Sequence, residues 1–303
     1  MSSKEFEQLY EKLKNNPLSL ETGLNNLRKQ YDSMIENFSP SYGISFEKVD
    51  INGVKAEWVN APAEWFNMPE PGEEPVIMYL HGGGYIMGSV ENYHYMTSKL
   101  SAVAGTKVLL LDYRLAPENK FPSALEDSIT AYKYLLSQGY KSKNIILVGD
   151  SAGGGLLLAT LLKMRSLGLK MPVTAVCVSP LTDLAQTGKS IQTNAEFDPF
   201  VSYELIKFCA DCYVGEDGDR CDPFASPFYA DLSGLPPMLM MVGSKEVLLD
   251  DSVRFARKAE FFGVDAQLVI AQEMIHAWSI FANVLPEGQQ AINYIGEYIH
   301  KYI

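Results

Sequence analysis

Cysteine is scarce, with four residues in a chain of 303, too few for a disulfide framework at this size. Three of them, Cys209, Cys212 and Cys221, fall close together. No histidine or fourth cysteine stands near enough to complete a local zinc site, so no metal is expected and the thiols are read as reduced and partly buried. Basic charge is also in short supply. Lys and Arg number 25 against 37 Asp and Glu, a net charge of −12, which argues against nucleic acid or an anionic membrane as a partner and accords with solubility. No apolar run approaches the length of a transmembrane helix, so no stable membrane association is expected. The first residues, Met1-Ser2-Ser3-Lys4-Glu5-Phe6-Glu7, lack the apolar core of a secretory signal, and a cytoplasmic location is expected. No internal repeat or low-complexity tract is found. What remains is an ordinary globular composition, 47% hydrophobic and 20% charged, long enough for one large α/β domain and a smaller appendage.

Residues 1–40 read as helix. Leu24, Leu27, Tyr31, Met34, Ile35 and Phe38 recur at helical spacing, and the region of Pro40 ends the pattern. Alternation then begins at Ile44, Phe46 and Val49 and passes through Ile51-Asn52-Gly53-Val54 to Ala56-Glu57-Trp58-Val59, which predicts an antiparallel hairpin. From residue 75 apolar strands at 76–80, 108–111, 145–148, 173–178, 238–242 and 267–270 alternate with helix-length segments. This β-α-β rhythm predicts a mostly parallel sheet covered on both faces, with ligands beyond the carboxyl ends of its strands. A long segment after Ser179-Pro180-Leu181-Thr182-Asp183 breaks the rhythm. It holds a helix-like stretch at 203–208 and a turn-rich tract at 215–222, and reads as a lid or cap, for which the N-terminal helices are the other candidate.

Gly149-Asp150-Ser151-Ala152-Gly153 stands between the apolar run Asn144-Ile145-Ile146-Leu147-Val148 and Gly154-Gly155-Leu156-Leu157-Leu158-Ala159. A G-x-S-x-G between a strand and a helix is the setting of a nucleophile elbow, a sharp turn that lifts a serine Oγ above the sheet edge. A serine hydroxyl needs a base, and the chain has four histidines, His81, His94, His276 and His300. In the chain order serine, acid, histidine, only His276 and His300 follow Ser151. His300 falls in an amphipathic terminal helix read at 291–303, so His276, in a loop after the last strand, is the expected base. The acid is expected just past a strand between Ser151 and His276. Glu246 at the turn of Gly243-Ser244-Lys245-Glu246-Val247-Leu248 is favoured, Asp250 comes next, and Asp183 and Asp198 are rivals. Asp250 and Asp251 also suit a helix N-terminus. His81-Gly82-Gly83-Gly84-Tyr85 follows the strand at 76–80, where glycines let backbone N–H groups approach a ligand. Gly83, Gly84 and Ala152 are therefore assigned to an oxyanion hole, and His81 to holding the glycine loop through a side-chain hydrogen bond. Tyr85, Phe200, Val201 and Trp278 are candidate walls of a modest hydrophobic pocket.

His81-Gly82-Gly83-Gly84, Asp112-Tyr113-Arg114-Leu115-Ala116-Pro117-Glu118 and Gly149-Asp150-Ser151-Ala152-Gly153-Gly154, in that order, together resemble the hormone-sensitive lipase family of α/β-hydrolase esterases, the bacterial family IV carboxylesterases. The resemblance runs from about residue 75 to 280. It implies an α/β-hydrolase fold, with a mostly parallel eight-stranded sheet, helices on both faces and a helical cap. The corresponding division is a cap segment at 1–42, a core at 43–184 and 226–303, and a cap insertion at 185–225. Glu246 falls at the family's acid position, where many members carry Asp in an Asp-Pro-Leu run, and His276-Ala277-Trp278 matches its histidine with an aromatic two residues on. Arg114 and Glu118 are expected to pair beneath the elbow, and Asp150 to hydrogen-bond locally.

The expected activity is hydrolysis of short-to-medium acyl esters through an acyl-enzyme on Ser151, with no cofactor and a small-molecule ester as the partner. Homodimerisation is left open. An amidase or arylformamidase on the same machinery is the alternative, and a non-catalytic small-molecule receptor is a further one that His276 argues against.

Overall fold

A computed structural model describes residues 2–35, 43–62 and 73–303. The N-terminal helical reading resolves into two helices, α1 (Lys4–Asn15) and α2 (Leu24–Ile35), with a short 3-10 turn between them. Pro17 lacks an amide hydrogen and Gly23 has φ 80°, so the chain between the helices cannot continue one. Ser3 caps α1 by accepting Phe6 N, acidic Glu5 and Glu7 lie in its first turn, and Phe6, Leu9 and Leu13 are its buried stripe. In α2 the buried positions are Leu27, Tyr31 and Ile35. Phe38 and the stop at Pro40 lie outside the described residues.

Strands β1 (Ser45–Ile51) and β2 (Val54–Asn60) form the expected antiparallel hairpin. Asn52 and Gly53 turn it with φ values of 55° and 91°, and Asp50 accepts the Gly53 amide. β3 (Val76–Leu80), β4 (Lys107–Asp112), β5 (Ile145–Asp150), β6 (Thr174–Val178), β7 (Met238–Gly243) and β8 (Ala266–Ala271) complete one eight-stranded sheet among the described residues, in the order β1-β2-β4-β3-β5-β6-β7-β8. β2 joins β4 antiparallel, and every pairing from β4 to β8 is parallel. Strands β3, β5, β6 and β7 are buried at every position. That is the signature of a sheet covered on both faces.

The covering helices are α3 (Val90–Ala104), α4 (Ser123–Ser137), α5 (Ala152–Ser166), α8 (Leu249–Phe261) and α9 (Pro286–Ile299). Between β6 and β7 lie α6 (Ser190–Thr193) and α7 (Tyr203–Val214), the latter capped by Ser202. The terminal helix starts at Pro286 and ends at Ile299, earlier at both ends than the predicted 291–303, because proline suits the first turn of a helix. Its stripe Ile292, Ile295 and Ile299 is fully buried, as the spacing requires. β3 leads to β4 on one side, and the chain then returns across it to β5. The loops after β3 and β5 thus part at a topological switch point, and there the candidate residues gather.

Candidate active site

Ser151 lies between β5 and α5 with φ 53° and ψ −124°, a conformation that a non-glycine residue holds only when its surroundings dictate it. Its amide donates to Val178 O at 2.8 Å and its carbonyl accepts Gly155 N and Leu181 N. Gly153 is required by close approach. A Cβ there would collide with the carbonyl oxygens of Leu80 and His81 on the neighbouring strand end.

His276 Nε2 lies 2.9 Å from Ser151 Oγ, and its Nδ1 lies 3.4 Å from Glu246 Oε1. Glu246 is fully buried. Its Oε2 accepts Ser179 Oγ at 2.7 Å and Gly243 N at 2.9 Å, while Ser179 Oγ accepts Ala277 N at 3.0 Å. Ser179 therefore fixes the carboxylate and the residue after the histidine together. Burial works to lower the His276 imidazole, but the Glu246 hydrogen bond and charge, followed by the charges of Asp198 and Asp150, carry it above its ordinary value.

The rival acids are engaged elsewhere. Asp250 accepts the amides of Lys189 and Ser190. Asp183 accepts Ala185 N, Thr187 N and the Tyr229 hydroxyl, and pairs with Arg254. Asp198 takes the amides of Phe200, Val201 and Val247. His300 sits at the surface with Nε2 3.0 Å from Val103 O, and His94 pairs with Glu57 at 2.6 Å.

Gly83 has φ 107° and Gly84 φ 64°, and both line the cavity in front of Ser151. Ala152 is buried at the first position of α5, where an amide has no carbonyl within its own helix. His81 Nδ1 lies 2.7 Å from Gly82 O, and its ring stacks on Tyr113 with centroids 4.3 Å apart. Burial lowers His81 to about 4, so it is neutral at pH 7. Asp150 bonds across the sheet rather than along the chain. It accepts the hydroxyls of Tyr79 and Tyr93 and the Gly82 amide, and Tyr93 in turn meets Tyr31 of α2 at 3.1 Å. Burial pushes the Asp150 carboxyl up to about 6 against the pull of the Tyr93 and Tyr79 hydroxyls.

The cavity in front of Ser151 is small, about 40 Å³, with Tyr31, Leu181, Phe200, Val201, Leu205 and Cys209 among its walls. Phe200 and Val201 are among the residues that line this cavity. Tyr85 and Trp278 are not. Tyr85 takes φ 65° and stacks its ring on Tyr213 at 3.8 Å, joining the glycine loop to α7. Trp278 is buried with Nε1 donating to Glu287 O. The expected Arg114–Glu118 pair is also corrected. Arg114 reaches Asp127 and Glu126 at the start of α4, while Glu118 is held by Arg28 of α2, which also donates to Ile86 O and Ala116 O. Ser179 and Arg28, and the tie of Asp198 to Val247, were not legible in the sequence because each works through a partner far away along the chain. The one local hint is that Ser179 follows a buried strand. The described residues contain no group of three His, Cys, Asp or Glu placed to hold a metal ion, and no helix long and apolar enough to cross a membrane.

Residues 77–280 match the family model for the alpha/beta hydrolase fold. Among curated proteins the chain is 37% identical over 272 residues to an acetyl-hydrolase of Streptomyces hygroscopicus, covering 90% of this chain and 88% of that one. It is 33% identical over 282 residues to an esterase of Acinetobacter venetianus, covering 93% and 90%. A crystal structure of an esterase from the bacterial hormone-sensitive lipase family superposes with a TM-score of 0.94 at 41% identity, covering 100% of this chain and 99% of that one. With its elbow, its histidine and its glycine loop on one sheet edge, the chain belongs to the hormone-sensitive lipase family of the α/β-hydrolase fold and is a carboxylic ester hydrolase.

Proposed function

We propose that the protein cleaves esters of short-to-medium acyl chains by a serine acyl-enzyme route, with Ser151 as nucleophile, His276 as general base and acid, and Glu246 as the group that orients the imidazole. The observation that carries this is the contact of His276 Nε2 with Ser151 Oγ at 2.9 Å, backed at Nδ1 by a buried carboxylate. His276 takes the proton from Ser151 Oγ as the oxygen attacks the ester carbonyl. The carbonyl oxygen gains negative charge and is received by the amides of Gly83, Gly84 and Ala152, donors worth about 2.7–4 kcal/mol each in such holes. Collapse breaks the bond to the alcohol oxygen, which His276 protonates. Water then enters by the same base, attacks the acyl-enzyme and releases the acid. Glu246 orients the imidazole and stabilises the imidazolium. The 3.4 Å separation at Nδ1 is the loose geometry common before substrate binds.

A cavity of about 40 Å³ favours small acyl groups. In this reading residues 1–42 and 185–225 form the cap, since Tyr31 and Leu18 from the first and Phe200, Leu205 and Cys209 from the second close the cavity above Ser151. The test is a p-nitrophenyl ester series from acetate to palmitate, with an anilide in parallel. Ser151→Ala and His276→Ala should each lower kcat by about 10⁴-fold or more, with acetate or butyrate the best wild-type substrate. Preference for palmitate would overturn the acyl-size reading, and full activity of either variant would overturn the mechanism.

A further inference from the structure

The segment 189–201, between β6 and α7, lies against the loop that carries Glu246. Ser190 Oγ donates to Val247 O at 2.6 Å, and Asn194 Nδ2 donates to Glu246 O at 2.9 Å and Ser244 O at 3.2 Å. Val247 N donates to Asp198 Oδ2 at 3.0 Å, while Asp198 Oδ1 accepts the amides of Phe200 and Val201, each at 3.1 Å. Phe200 and Val201 are walls of the cavity, and the Phe200 ring lies 6.0 Å from the His276 ring. One carboxylate thus holds the cavity wall with one oxygen and the residue after Glu246 with the other. Asp198 is 7% exposed and lies close enough to His276 for its charge to act on the imidazole. Holding a buried carboxylate on three backbone amides costs desolvation free energy that a plain turn would not demand.

We propose that Asp198 is a positioning residue that ties the cavity wall at Phe200–Val201 to Val247, so that seating of the wall and alignment of Glu246 against His276 are one hydrogen-bonded unit. The proposal rests on Glu246 being the orienting acid. Asn194 is the second tie in the same unit, and it contacts the loop only through carbonyl oxygens.

The experiment is a double-mutant cycle on p-nitrophenyl acetate, with Asp198→Asn, Asn194→Ala and Glu246→Gln made singly and Asp198→Asn and Asn194→Ala each combined with Glu246→Gln. Asp198→Asn should lower kcat about 10- to 100-fold through misplacement of the acid, and raise KM as the Phe200–Val201 wall loses its anchor. In the Glu246→Gln background the same substitution should change kcat less than about twofold on the pH plateau, where the direct pull of the Asp198 charge on His276 does not count, since a group acting through Glu246 has nothing left to position. Half-buried Asn194 should show the same pattern at about 3- to 10-fold, the loss of one or two hydrogen bonds. It carries the test if Asp198→Asn does not fold. Unchanged kcat in the single variants, or equal losses in both backgrounds, overturns the proposal alone. Full activity of Glu246→Gln overturns the acid assignment and the proposal with it.

Discussion

In the proposed mechanism His276 sets the pH dependence of activity. Its neutral form must accept the Ser151 proton, and its environment holds the imidazole above the ordinary 6.5. The acidic limb of kcat/KM therefore has its midpoint above pH 6.5, with activity rising as pH climbs through it. Replacing Glu246 by Gln removes the hydrogen bond and the nearest negative charge. The limb should move to lower pH, and kcat should drop about 10³- to 10⁴-fold as the imidazole loses its tautomer. A pH profile unchanged by that substitution would be incompatible with the arrangement. Ser179 acts on the same group from behind, donating to Glu246 Oε2 and accepting from Ala277 N. Ser179→Ala should cost about 10-fold or more in kcat, the size of one hydrogen bond to a charged group, with KM nearly constant. Steady-state kinetics on a short ester checks it.

At the level of elements, two contacts hold the site's scaffold together. The first is the crossing of the α5 start over the end of β3, which leaves no room for a side chain at Gly153. Gly153→Ala should lower stability by about 1–3 kcal/mol or abolish folding, because the obstruction is backbone and cannot rotate away. Urea unfolding measures it. The second contact is Arg28 of α2, whose guanidinium takes Ile86 O, Ala116 O and the Glu118 carboxylate. It therefore braces the glycine loop from the N-terminal segment. Arg28→Ala should speed hydrogen exchange in α2 and destabilise by about 1–3 kcal/mol, the range for charge-assisted bonds that leave carbonyls unpaired. Unaltered exchange in α2 would show that packing of Leu27, Tyr31 and Ile35 alone holds the helix.

For the molecule as a whole, buried carboxylates shape the pH dependence of stability. Burial pushes Asp251 up to about 7, although it accepts Thr182 N at 2.7 Å and Asp183 N at 3.0 Å. The folded value lies above the unfolded 3.8. Between those values the folded state binds more protons than the unfolded state, so this group's contribution falls as pH rises from about 4 to about 7. Asp251→Asn removes the titration. Its stability relative to wild type should improve by up to about tenfold in the folding equilibrium per pH unit across that window. Chemical denaturation at pH 4.5 and pH 8 decides it, and a constant difference between the two would refute it.

Much of this protein could be read from the chain because the chemistry is local there. The strand at 145–150, the glycines after Ser151 and the His81–Gly84 run each follow from steric demands that act within a few residues. Hydrophobic periodicity likewise located the hairpin, the strands and the stripe of the last helix. Arg114 defeated that reading, since an arginine has several carboxylates within reach and only the packing of α4 selects Asp127 and Glu126. Tyr85 and Trp278 defeated it too, since an aromatic ring in a loop turns toward cavity or core according to its neighbours. The fold class and the chain order of Ser151, the acid candidates and His276 were legible in the sequence, because backbone propensity and burial pattern are written in short stretches. Tertiary packing alone supplied the placement of Glu246, and not Asp250, Asp183 or Asp198, beside His276 Nδ1, and the hydrogen bonds of Ser179 to its carboxylate and of Asp198 to Val247. Those choices depend on which of several similar oxygens the sheet and the segment 189–201 bring within hydrogen-bond distance of one imidazole and one loop.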